Sequence, residues 1–164
     1  MPSKRLLIAF GVGVVAVVIA VAAVLYMQRG AHIELKGSIL KVRTAAMDEY
    51  SSVAVVDFRF VNPANYPFVV RKVDVSIVAA DGRTYEGSPV SEVDARRLFQ
   101  YYKLLGQKYN DSLLMRDKVA PRTSEDRMIA ARFEIPESLL AARKNLIIRI
   151  EDVDGPVSEL AEKP

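Results

Sequence analysis

Cysteine is absent from this sequence, and histidine occurs once, at His32. Without a thiol there can be no disulfide, thiolate zinc site, iron–sulfur cluster or cysteine nucleophile. A hydrolytic triad needs a nucleophile and an orienting acid beside its histidine, and His32 stands alone after a long apolar run. A strong charge of one sign is also lacking. The chain of 164 residues holds 23 Lys+Arg against 20 Asp+Glu, and beyond residue 27 the count is 21 against 20. A nucleic-acid surface needs a large basic footprint, so nucleic acid is not an expected partner. No GxxxxGK[ST] or strand-linked GxGxxG loop follows residue 27. Asp152-x-Asp154-Gly155 holds a fragment of a calcium loop, but Pro156 follows and the distal bidentate carboxylate is missing. Those two aspartates read as a strand-ending turn, and Glu125-Asp126 as solvated loop acids. No catalytic residue, metal or cofactor is expected, and the chain is not read as an enzyme.

What the sequence does have is one long uncharged stretch. Residues 6–27, LLIAFGVGVVAVVIAVAAVLYM, contain no charged residue. As a helix these residues reach ~33 Å, against a hydrocarbon core of ~30 Å. A soluble helix rarely stays apolar on every face for so long, so a single transmembrane helix is expected. Lys4 and Arg5 precede it, and Arg29 alone follows closely. The positive-inside bias then leaves residues 1–5 in the cytoplasm and the remainder outside it, in a bacterium facing the periplasm from the inner membrane. Ala20-Val21-Ala22 matches a small-x-small cleavage pattern, but apolar chain continues to Met27, past the length of a usual signal-peptide core. The expectation is an uncleaved signal anchor. Residues 28–31 form a short linker.

Residues 32–160 read as one domain, with a polar tail at 161–164. Alternation marks strands at 32–43, at 53–61 with Val56, Phe58 and Phe60 on one face, and at 68–80 with Val73, Val75, Ile77 and Ala79 on one face. Further strands are read at 127–135 and 145–153. Asn62-Pro63 carries turn chemistry: the asparagine oxygen can accept a backbone N–H further on, and proline presets φ. Asp81-Gly82 is a hairpin signal. Residues 91–105 switch to helical spacing through Ala95, Leu98, Tyr101, Tyr102 and Leu105. Ser91 with Asp94 opens this helix as a capping pair, and Gly106 suits its C-terminal cap. A short strand at 113–115 and a helical turn within 136–144 complete the reading. Six or seven short strands with one helical insertion predict a mainly β fold, an antiparallel β-sandwich.

Residues 53–87, VAVVDFRFVNPANYPFVVRKVDVSIVAADGRTYEG, resemble the type-2 late-embryogenesis-abundant or WHy domain, in which a strand leads to an Asn-Pro-Asn turn and a second strand to a Gly-containing hairpin. Asn62 and Pro63 match the first two turn positions; Ala64 displaces the third to Asn65. The strand ending in Ala80-Asp81-Gly82 is also similar to bacterial FxLYD-type extracytoplasmic domains. Either resemblance implies an immunoglobulin-like sandwich with a non-enzymatic role in binding, surface association or stress protection. The helix at 91–105 fits neither pattern and reads as an insertion.

Between Arg96 and Arg122 the chain holds seven basic residues against Asp111 and Asp117, with aromatics interleaved. Basic plus aromatic composition suits an anionic headgroup or an acidic partner. Arg96, Arg97, Tyr101, Tyr102, Lys103 and Lys108 are therefore the candidate partner- or headgroup-binding residues. The competing reading packs Leu98, Tyr101, Tyr102 and Leu105 on the sandwich and leaves the basic residues in water. Together these features predict a membrane-anchored extracytoplasmic interaction module. The alternatives are an accessory subunit of an envelope complex and a stress-protection protein secreted after cleavage.

Overall fold

The computed structural model describes residues 4–28 and 34–162, with side chains from 10–24 and 34–162. His32 and most of the 28–31 linker lie outside the described residues. The chain divides into two units, residues 1–33 and 34–164.

The first unit contains one helix, α1 (Lys4–Gln28). Its described side chains, 10–24, are all exposed. Among the described residues no helix is long and apolar enough to cross a membrane. The side chains at both ends of the expected span lie outside the described residues.

The second unit is an antiparallel sandwich. Its strands are β1 (Lys36–Ala46), β2 (Ser52–Val61), β3 (Phe68–Val78), β4 (Thr84–Pro89), β5 (Lys118–Val119), β6 (Ser124–Phe133), β7 (Asn145–Asp152) and β8 (Val157–Ala161). They run in the order β1-β2-β6-β4-β3-β7-β8, with β5 beside β3. The path folds over at β4. The first part of β4 pairs with β3, Val78 opposite Thr84 through Val75 opposite Gly87; its end pairs with β6, Ser88 opposite Arg132. A Cβ at Gly87 would sit 2.6 Å from the Phe133 ring, so only glycine lets the strand turn the corner over that phenylalanine. At the other corner the Leu35 N–H donates to Ser158 Oγ at 2.8 Å.

Between the two layers, Val56, Phe58 and Phe60 of β2 and Ile129, Ala131 and Phe133 of β6 meet Val73, Val75 and Ile77 of β3 and Leu146, Ile148 and Ile150 of β7. The alternation read from the sequence sorts these residues onto the inner face. Asn62 is fully buried: its Oδ1 accepts the Ala64 N–H at 2.9 Å, and its Nδ2 donates to the Tyr66 carbonyl at 2.9 Å and toward the Val119 and Ala120 carbonyls. The Asn62-Pro63 turn thus holds β5 in place. Asp81-Gly82 makes the expected hairpin, with Gly82 at φ 87°. Asp152 is buried, and its Oδ1 accepts the Asp154 N–H in a turn completed by Gly155 at φ 100°.

Several expectations are corrected. The first strand begins at Lys36 and continues to Ala46, and a bulge lies between Ile39 and Lys41. The short strand expected at 113–115 is absent; the pairing segment is β5, at Lys118–Val119. Residues 157–161, outside the expected strands, pair with β7 because Asp154-Gly155-Pro156 reverses the chain. The inserted helix is shorter than 91–105. α2 (Glu92–Tyr101) stops at Tyr102, a 3-10 turn follows at Lys103–Leu105, and Gly106 at φ 70° caps that turn. α3 (Glu137–Ala141) is the expected helical turn.

Candidate functional site

The site grows from the outer face of the β1-β2-β6 layer. Ser91 caps α2, its Oγ accepting the Asp94 N–H at 3.2 Å, while Glu92 and Asp94 favour the positive end of the helix. Ala95 and Leu98 then lie one turn apart on the buried side. With Leu105 they cover Ala45, Val53, Val55, Met128 and Ala130 of the sheet, and Phe99 and Tyr102 pack at the margin. β2 is therefore buried on both faces from Ser52 to Phe58.

A polar contact fixes this cover. The β1 bulge shifts the alternation, so that Ile39 and Val42 pack on the inner core while Arg43 turns outward under the insertion. Its Nη2 meets Asp57 Oδ2 at 2.6 Å, with both side chains less than a tenth exposed. Its Nη1 donates to the carbonyls of Leu105 at 2.5 Å and Gln107 at 2.6 Å. The guanidinium carbon lies 5.0 Å from the Phe99 ring centre and 5.4 Å from that of Tyr109. Asp57 Oδ1 accepts from Asn110 Nδ2 at 2.9 Å. Desolvation offsets most of the attraction in such a pair, but leaving one member alone is expensive. The pair therefore specifies where the insertion sits more than it adds stability. The sequence reading missed it. The one local signal was Asp57, a charge standing between Val56 and Phe58 in a buried stretch of β2.

Glu92 makes a second attachment. Its Oε1 lies 2.9 Å from both Arg96 Nε and Lys108 Nζ, and its Oε2 accepts the Ser112 N–H at 3.2 Å. Burial pushes the carboxyl upward, but the hydrogen bonds from Ser112, Lys108 and Arg96 outweigh it and hold the pKa at about 2.

The six candidate residues separate. Arg96 and Lys108 are committed to Glu92, and Lys108 also reaches the Asn110 carbonyl and Asp111. Lys103 is exposed on the 3-10 turn. Arg97, Tyr101 and Tyr102 come together instead, in a groove of about 650 Å³ with Met47, Val90, Asp94, Leu98 and Arg132. Tyr101 is 80% exposed, contrary to the packed reading, because α2 ends there and the helical phase is lost before its ring can turn inward. Arg97 pairs with Asp94 at 3.1 Å on the exposed side of α2. Arg132 forms no ion pair among the described residues, although Asp48 lies within its field. It was missed because it stands outward on β6, between inward Ala131 and Phe133, where a charge reads as ordinary solvent-facing surface. The groove thus offers an apolar floor, two aromatic rings and two guanidinium groups to a ligand with acidic and apolar parts.

Its place in the domain matters. β1 enters at Lys36, opposite Val61, and ends at Ala46, next to the groove's Met47; Arg132 is likewise near the far end of β6. Ten residues of strand are ~33 Å. The groove opens at the end of the sandwich remote from where the chain enters. A second crevice, about 370 Å³, lies where β3 and β6 part, lined by apolar residues including Val73, Leu113, Met115 and Ile129. Among the described residues no group of histidine, cysteine or acidic side chains is arranged to hold a metal ion.

No protein-family model matches the chain, and no curated protein matches it. A solved structure of an uncharacterised β-sandwich protein from Clostridium difficile 630 is similar over 79% of this chain and 86% of its own, at 11% identity and a TM-score of 0.40. The sandwich described above rests on this chain's own strand pairing and core.

Proposed function

We propose that the chain is a membrane-anchored extracytoplasmic binding module without catalytic activity, whose groove takes an acidic ligand bearing apolar side chains. The observation that carries the reading is the meeting of Arg97, Tyr101, Tyr102 and Arg132 in one groove at the far end of the domain. The anchor is supported by the uncharged stretch 6–27, and its orientation by Lys4 and Arg5. The apolar floor and two aromatic rings beside the guanidinium groups favour an acidic protein segment as the ligand of this groove. The immunoglobulin-like character of the sandwich, and kinship with the type-2 late-embryogenesis-abundant or FxLYD-type domains, belong to the same proposal. They are supported by the Asn62-Pro63 turn and the Asp81-Gly82 hairpin.

The test is titration of the full-length chain in detergent with a fluorescent peptide of alternating glutamate and phenylalanine. Reversing both groove cations, Arg97→Glu with Arg132→Glu, should weaken binding by about tenfold or more, because desolvated charge pairs dominate such contacts. Lys103→Glu should leave it unchanged. Equal affinity in the double variant, or equal binding of a lysine–phenylalanine peptide, contradicts the assignment.

A further inference from the structure

The groove has an acidic neighbour. Met47, one of its lining residues, also opens the turn between β1 and β2, just past the last strand pair, Ala46 opposite Ser52. Residues 48–50 of that turn are Asp-Glu-Tyr, and all three are exposed. The tip of the turn therefore stands at the rim of the groove, with Asp48 within the field of Arg132.

Hydrogen bonds hold this tip in shape. The Met47 and Asp48 N–H groups both donate to the Ser51 carbonyl, at 2.9 Å and 3.2 Å. Asp48 Oδ1 accepts the Tyr50 N–H at 2.8 Å, and Asp48 Oδ2 accepts from Ser51 Oγ at 2.5 Å. Asp48 is thereby occupied within the turn. Glu49 and Tyr50 are not: the Glu49 carboxylate has no partner among the described residues, and Tyr50 is 71% exposed. A carboxylate next to an aromatic ring is the chemistry that two guanidinium groups and two aromatic rings take. The turn is already ordered, so docking it costs little conformational entropy. It does not serve its own groove, since neither Glu49 nor Tyr50 lines it.

One surface thus carries a cationic, aromatic groove and an acidic, aromatic tip side by side. Its charges are mixed. Arg97 and Arg132 stand with Asp94, Glu49 and the exposed Glu134, two residues beyond Arg132. A surface of one sign repels its own copy. A surface that sets both signs next to each other complements itself after a half-turn, because each tip then meets the other copy's groove.

We infer that the ligand of the groove is the 48–50 tip of a second copy of this chain. Two domains pair about a twofold axis, Glu49 of each meeting Arg132 of the other and Tyr50 packing against the Tyr101 and Tyr102 rings. The inference rests on the acidic-ligand reading of the groove and names that ligand.

The chain has no cysteine, so one added after Pro164 takes a single dye. Donor- and acceptor-labelled full-length chains are mixed in a large excess of detergent micelles, where two α1 helices rarely share a micelle, and energy transfer reports their association. Glu49→Arg and Arg132→Glu should each weaken association about tenfold or more. An equimolar mixture of the two variants should recover to within about threefold of wild type, because opposite charges then meet at both contacts. The glutamate–phenylalanine peptide should displace the second copy, and Glu49→Arg should bind that peptide as wild type does. Peptide binding without association of wild-type chains overturns the inference and leaves the groove reading intact. So does association that neither reversal weakens, or a mixture that does not recover. Chains that neither associate nor bind the peptide overturn both.

Discussion

The two faces of β2 are buried by different means. On the inner face, Val56, Phe58 and Phe60 meet the opposite layer through side chains alone. On the outer face, Val53 and Val55 lie under α2, but two positions further on the layer is held by Asp57, Arg43, Asn110 and two backbone carbonyls. Apolar burial is non-directional. It is enough where two whole layers face each other, because strand pairing already sets the register. A helix of ten residues with only Ala95 and Leu98 buried has no such register. Directional contacts, Arg43–Asp57 at one end and Glu92–Lys108 at the other, define its position. The groove depends on this, since one wall is α2 and the other belongs to the sheet.

The largest effect is expected at Arg43. Arg43→Met leaves the Asp57 carboxylate buried with the Asn110 amide as its remaining described partner, and removes the donor to Leu105 and Gln107. Loss of one member of a buried pair should cost ~3 kcal/mol, read by urea denaturation of the full-length chain in detergent. A loss comparable to that for an exposed ion pair, below ~1 kcal/mol, would show that the cover is held by packing alone.

Acid titration sharpens the other attachment. Glu92 has its folded pKa lowered from 4.5 to about 2. Its stabilising contribution is therefore complete above about pH 4.5 and is lost as pH falls through about 2. Between those values the wild-type chain should lose stability faster than Glu92→Gln, and above them the difference between the two should be constant. Parallel acid profiles would mean that Glu92 does not hold the insertion.

The sequence was most legible where local chemistry decides the structure. Asn62-Pro63, Asp81-Gly82 and the Ser91 cap each act within a few residues, and alternation assigned the inner face of β2, β3, β6 and β7. It was least legible where distant segments decide. The bulge after Ile39 reverses which face Arg43 occupies, and nothing within β1 announces that. β5 exists because Asn62 reaches across to the Val119 and Ala120 carbonyls, so its two residues carry no pattern of their own. β8 is short and half polar and follows a strong turn signal, so no strand pattern marks it. Of the six candidate residues, Arg97, Tyr101 and Tyr102 meet at the groove, because one short helix and its end carry all three. Arg96 and Lys108 are drawn away by Glu92, and Arg132 joins from a strand thirty-five positions after Arg97.

The 91–112 cover and the apolar sandwich are separate cooperative layers, the one positioned on the other by polar contacts. Native-state hydrogen exchange on the full-length chain and on Ile148→Val tests it directly. Ile148 is fully buried between the layers, and removing one methylene there costs ~1 kcal/mol, or about fivefold in exchange. Amides of β3 and β7 should speed up by that factor while those of α2 are unchanged. Equal acceleration of α2, β3 and β7 would contradict it.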